Sequence, residues 1–60
     1  MQSLMKPREV ATILSVNYHT VLDLIHAGEL EAHVINKRYR ISQAQLHDFL
    51  EKTRYRGGGA

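Results

Sequence analysis

The sequence predicts a small α+β domain in which three short helices and a two-stranded β-hairpin share one core. Three observations predict it. Two segments with helical apolar spacing flank a short turn at residues 15–17, and two β-branched and aromatic segments flank Asn36-Lys37. A capping box at residues 42–45 then opens a third helical segment. The order helix, turn, helix, hairpin, helix is the outline of a winged helix-turn-helix.

Local signals place the ends of the first two helices. The first helix is expected to begin after Lys6, because Pro7 suits the first helical position and Glu9 puts an anion in the first turn. Its apolar stripe is Val10, Ala11, Ile13 and Leu14. Asn17 is expected to cap the second helix, and Gly28 to end it, since glycine adopts the left-handed conformation at low cost.

The hairpin is predicted from residues 33–35 and 38–41, which are joined by Asn36-Lys37. Asparagine tolerates the positive φ that a two-residue turn requires. In the second strand Tyr39 and Ile41 are expected to face the core and Arg40 the solvent. A short strand at residues 3–5 is a candidate partner for the hairpin.

The third helix is expected to follow Ser42, its N-cap, with Gln45 completing the capping box. Residues 1–52 are thus predicted to form a winged-helix DNA-binding domain, and residues 53–60 a disordered basic and glycine-rich tail. The expected core consists of Val10, Leu14, Val21, Leu24, Ile25, Leu30, Ile35, Tyr39, Ile41, Leu46, Phe49 and Leu50.

Composition fits a reducing compartment. Cysteine is absent, no apolar run has the length of a membrane-spanning helix, and the first residues lack the apolar stretch of a signal peptide. We therefore expect a cytoplasmic protein.

Charge is distributed unevenly along the chain. Residues 1–31 carry two basic and four acidic side chains, a net −2, whereas residues 32–60 carry six basic and two acidic side chains, a net +4. This asymmetry fits a local patch for a polyanion, or a solvated face followed by a basic tail. Lys37, Arg38 and Arg40 are the strongest candidates for phosphate contact; the alternative is protection of an edge strand.

No catalytic or metal-binding arrangement is recognisable. Ser15 and Ser42 are explained as turn and cap residues, and the glycines of residues 57–59 precede no helix that could bind phosphate. The four histidines lack the ligand spacing of a zinc site. The sequence therefore predicts no enzyme activity, no metal and no cofactor.

Taken in order, several segments resemble the excisionase-type DNA-binding family, which is related to the DNA-binding domains of MerR-type regulators. They are residues 4–11 (LMKPREVA), 14–17 (LSVN), Thr20-Val21, 28–30 (GEL), 37–41 (KRYRI), and then Leu46 and Phe49-Leu50. Two features depart from the family pattern. Family members commonly carry arginine or lysine near positions 18 and 23, here Tyr18 and Asp23, and Asn36 stands where the wing turn usually has glycine.

In this family the second helix enters the major groove, while the wing contacts the backbone and the neighbouring minor groove. The exposed face of that helix would be Asn17, Tyr18, His19, Leu22, Asp23 and His26. The residues predicted to bind DNA from the helix are Asn17, Tyr18, His19, Thr20 and Asp23. Those predicted from the wing are Asn36, Lys37, Arg38 and Arg40. Plain capping is the alternative role of Asn17, and packing that of Thr20.

The resemblance implies a sequence-specific double-stranded DNA-binding architectural protein that directs integrase-mediated excision of a mobile element and bends DNA. Expected partners are duplex DNA, further copies of the chain on DNA, and a phage or transposon integrase, with no membrane. A bacterial or phage-encoded protein associated with the nucleoid is implied. The chain stops before the dimerisation helix and effector domain of MerR-type regulators, which favours this role. The alternatives are a small transcription regulator using the same surface and an adaptor that binds an acidic protein.

Overall fold

The computed structural model describes residues 4–55, which form three helices and a hairpin. Helix α1 is Pro7–Leu14, α2 is Tyr18–His26 and α3 is Gln43–Lys52. Strands β1 (His33–Ile35) and β2 (Arg38–Arg40) pair antiparallel. This arrangement confirms the predicted α+β winged helix-turn-helix, and we call residues 33–40 the wing.

Helix α1 begins where the sequence predicts. The backbone N–H of Lys6 donates to Glu9 Oε1 at 2.8 Å, and Pro7 occupies the first turn. The helix ends at Ser15, whose left-handed backbone has φ 58°. Ser15 therefore turns the chain directly towards α2.

Helix α2 is bounded by Asn17 and Gly28, as predicted, but Asn17 does not cap through its side chain. Among the described contacts, its backbone carbonyl accepts from Thr20 N–H at 3.0 Å, and its side chain makes no capping hydrogen bond. The Asn17 side chain is exposed at the start of the helix. Gly28 has φ 80°, the conformation that glycine adopts at low cost after a helix.

The wing turn has positive φ at both central residues, 53° at Asn36 and 64° at Lys37, which is typical of a type I′ turn. Ile41 lies beyond β2 and forms an isolated bridge with Met5. Met5 N–H donates to the Ile41 carbonyl at 2.7 Å, and Ile41 N–H donates back at 2.8 Å. Met5 is therefore the partner of the hairpin that residues 3–5 were expected to supply, while Ser3 lies outside the described residues.

The core is small and joins every helix to the end of the wing. Its buried members are Val10, Ala11, Val21, Leu30, Ile41, Leu46 and Phe49. Leu14, Leu24 and Ile25 are partly buried against this cluster.

Some predicted core positions are wrong. Ile35, at 51% exposed, lies beside the wing turn and away from the core, and Leu50, at 43%, lies beside Phe49 on the outer side of α3. Ile13, predicted in the α1 stripe, is 56% exposed. The core of a domain this small can bury only one narrow stripe of apolar side chains on each helix or strand.

The capping box of α3 is confirmed in both directions. Gln45 N–H donates to Ser42 Oγ at 3.1 Å, and Ser42 N–H donates to Gln45 Oε1 at 2.9 Å. The tail expected over residues 53–60 stays a prediction, because residues 56–60 lie outside the described part. Within residues 4–55 no helix has the length and apolar character needed to cross a membrane.

Candidate nucleic-acid interface

An open groove of about 500 Å³ runs between the start of α1, one side of α2 and the wing. We call it the cationic groove. Its lining residues are Lys6, Pro7, Arg8, Tyr18, Leu22, His26, Lys37, Arg38, Tyr39 and Arg40. Five of the ten are lysine or arginine, and in the described part of the chain no aspartate or glutamate lines it. A cleft lined by one sign of charge concentrates ligands of the opposite sign.

The basic side chains of the groove come from two segments that are far apart in the sequence. Lys6 and Arg8 come from the half of the chain with net charge −2, yet they face the same space as the three cations of the wing. The Met5–Ile41 bridge explains this proximity, because it ties the residue before Lys6 to the residue after Arg40. Lys6 and Arg8 are absent from the predicted DNA contacts, and only the pairing of Met5 with the hairpin could have indicated them.

Helix α2 contributes Tyr18, Leu22 and His26, which are spaced by four residues and so form one stripe. The Arg8 guanidinium carbon lies 5.0 Å from the centroid of the Tyr18 ring, a cation–π distance. Arg8 therefore brings a positive charge from α1 to the Tyr18 end of the stripe.

The wing is connected to α2 through His26 and Tyr39. Nε2 of His26 lies 3.0 Å from the Tyr39 hydroxyl, and the two rings meet edge to face with centroids 5.8 Å apart. This contact corrects the prediction that Tyr39 faces the core, because the side chain is half-buried against α2 and lines the groove.

Arg40 also differs from the prediction of a solvent-facing side chain. It is half-buried, and its Nη1 donates to the carbonyl of Tyr39 at 2.7 Å. The guanidinium is thereby fixed beside the wing backbone, at the wall of the groove. Arg38 and Lys37 are exposed, so the outer wing presents two accessible cations.

The structure brings together only part of the predicted site. Tyr18, Lys37, Arg38 and Arg40 line the groove. The other predicted residues are exposed but lie outside it: Asn17, His19, Thr20, Asp23 and Asn36. His19 adjoins the stripe, since its ring centroid lies 5.9 Å from that of Tyr18. Groups of three or more potential metal ligands are absent from residues 4–55.

The fold and the groove define a helix-turn-helix module with a cationic face. Residues 4–54 match the model of a family described as a helix-turn-helix domain. The chain belongs to this family.

Two curated proteins from two strains of Mycobacterium tuberculosis are similar to the chain, each named as a "putative DNA-binding protein". Each is 36% identical over 50 residues, which cover 83% of this chain and 64% of the relative. The chain thus spans a little under two thirds of the relatives' length. No solved structure matches it.

Proposed function

We propose that the protein is a sequence-specific DNA-binding architectural factor of the excisionase type. Helix α2 would enter the major groove of duplex DNA while the wing and the start of α1 contact phosphates. The observation that carries the proposal is the cationic groove, where five basic side chains from the start of α1 and from the wing flank the stripe of α2. The names of the two mycobacterial relatives support DNA as the ligand.

The side chains divide by their chemistry into two groups. Lys6, Arg8, Lys37 and Arg38 are assigned to phosphates, which position the protein but carry no base information. Tyr18, His19 and Asp23 are assigned to base edges, because they lie on the exposed face of the helix that would enter the major groove. A carboxylate such as that of Asp23 can accept a hydrogen bond from the cytosine amino group.

The proposed role in shaping DNA is supported by the small size of the domain. A single module of this kind buries on the order of 600–1,000 Å² on DNA, so tight binding needs further copies or a DNA-bound partner such as an integrase. Copies placed along one side of the duplex would neutralise its phosphates unevenly and favour a bend. Bending a site costs on the order of 1–6 kcal/mol, which contacts from neighbouring copies can offset.

Salt dependence tests the assignment to DNA. Each neutralised phosphate contributes about −0.9 to the slope of log K against log salt, so the four side chains assigned to phosphates predict a slope of about −3.6. The measurement is fluorescence anisotropy of a labelled duplex titrated at several salt concentrations. A slope near zero would refute DNA binding and favour the adaptor.

A pair of double variants tests the location of the interface. Lys37→Ala with Arg38→Ala should weaken binding to all sequences about equally, because phosphate contacts are not specific. Lys52→Ala with Arg54→Ala removes the same charge from residues that do not line the groove, and should have a much smaller effect. Equal losses for both pairs would mean that net charge, and not the groove, governs binding.

The excision role needs a separate experiment. Gel-shift and DNA-bending assays would use the sequence beside the protein's own gene, with the full chain and with residues 53–60 removed. We expect cooperative complexes, a bend, and stimulation of integrase-mediated excision. Independent binding to single sites, with no bend and no effect on excision, would leave the transcription-regulator alternative.

A further inference from the structure

His26 is the one histidine that lines the cationic groove in the described part of the chain. It occupies the last turn of α2, and its side chain is exposed. Its Nε2 lies 3.0 Å from the Tyr39 hydroxyl of the wing. The imidazole of His26 is thus held between the helix and the wing.

The groups that face His26 differ in charge. Lys6 and Arg8 at the start of α1 and the three cations of the wing line the same groove. On its own helix, Asp23 is one turn away. Docking of DNA phosphates would add several negative charges beside the imidazole, and negative charges nearby favour its protonated form.

The hydrogen bond to Tyr39 is compatible with both charge states. In the protonated ring both nitrogens donate, so Nε2–H can donate to the Tyr39 hydroxyl oxygen. Nδ1–H then remains available to donate a second hydrogen bond to a phosphate oxygen. The wing contact therefore holds the imidazole in place without using its whole donor capacity.

We propose that His26 is a phosphate ligand that takes up a proton as duplex DNA docks in the cationic groove. The inference rests on the proposed DNA binding and adds a residue absent from the predicted DNA contacts. Binding that takes up a proton strengthens as the pH falls. Its limit for one proton is about a tenfold gain in affinity for each pH unit.

The test is the dissociation constant for a labelled duplex, measured at constant ionic strength between pH 8 and pH 6. For the unaltered protein we expect affinity to rise several-fold across this range. His26→Gln should remove the rise and bind with the weaker affinity throughout. His26→Lys should bind at pH 8 about as tightly as the unaltered protein binds at pH 6, because its charge is permanent. Far-ultraviolet circular dichroism of each variant checks that the helices are intact.

His47→Gln is the matched control, because His47 is an exposed histidine of α3 that lies outside the groove and has no assigned DNA contact. It should keep the pH dependence. A flat profile for the unaltered protein, or a rise that survives His26→Gln, overturns the role of His26 while leaving DNA binding intact. Absence of salt-dependent binding at every pH would instead overturn the proposed function and this inference with it.

Discussion

Replacing Lys37 by glycine should change stability and binding in opposite directions. Lys37 occupies the second central position of the wing turn with φ 64°. The left-handed conformation costs a non-glycine residue about 1–2 kcal/mol, and Asn-Gly is a favoured pair for this turn. Glycine also loses more conformational freedom on folding, which offsets about 0.5–1 kcal/mol of that gain. The net expectation for Lys37→Gly is a gain of about 0.5–1 kcal/mol in the free energy of unfolding.

A gain of this size corresponds to a rise in Tm of about 2–8 °C for a domain of this length. Binding should weaken at the same time, because one phosphate contact is lost. The magnitude of the salt slope should fall by about 0.9, with no change in sequence preference. Thermal denaturation followed by circular dichroism, and anisotropy titrations at several salt concentrations, measure the two effects.

Lys37→Ala is the matched control, because it removes the ammonium group but keeps a side chain in the left-handed conformation. It should weaken binding as much as Lys37→Gly and give no comparable gain in stability. A lower Tm for Lys37→Gly would show that the turn does not carry the assigned strain. Unchanged DNA affinity would contradict the phosphate contact assigned to Lys37.

Three further substitutions test the groove, the reading helix and the core. Arg8→Ala should weaken DNA binding and reduce the salt slope, whereas Arg8→Lys should keep the slope, because it keeps the charge, while losing the planar stacking on Tyr18. Equal salt slopes for the two variants would contradict the phosphate contact assigned to Arg8. Asp23→Ala should relax the preference at one base pair if the carboxylate reads cytosine, a contact that discriminates by about 1–3 kcal/mol; higher affinity with unchanged preference would mean that Asp23 only repels phosphate. Leu30→Ala should lower the free energy of unfolding by about 2–5 kcal/mol in denaturation experiments, since Leu30 is 1% exposed. The same change at the exposed Leu50 should cause a much smaller loss.

The ends of the helices could be predicted because short segments of sequence determine them. Pro7 with Glu9, the glycine at position 28 and the capping box at Ser42 each act within one turn of the chain. The same is true of the wing turn at Asn36. At Asn17 the local sequence predicted the position of the N-cap correctly, but the side chain makes no capping hydrogen bond.

The composition of the groove could not be predicted from local patterns. Lys6 and Arg8 face the wing because Met5 pairs with Ile41, a contact between residues far apart in the sequence. The alternation of side chains along a strand predicted that Tyr39 faces inward, but it could not show that α2, and not the core, receives the ring. Ile35 was misassigned for a similar reason, since a three-residue strand can extend past the core that its pattern suggests.

The bridge between Met5 and Ile41 also bears on how quickly a complex could form. Because two backbone hydrogen bonds tie the start of α1 to the end of the wing, basic groups from two distant segments of the chain are already arranged before a ligand arrives. A surface arranged in advance loses little conformational entropy on association. The encounter is then governed by long-range attraction, which salt screens, while the lifetime of the complex depends on close contacts. For this protein, ionic strength would set how often the duplex is captured, and the side chains that face the bases would set how long it is held.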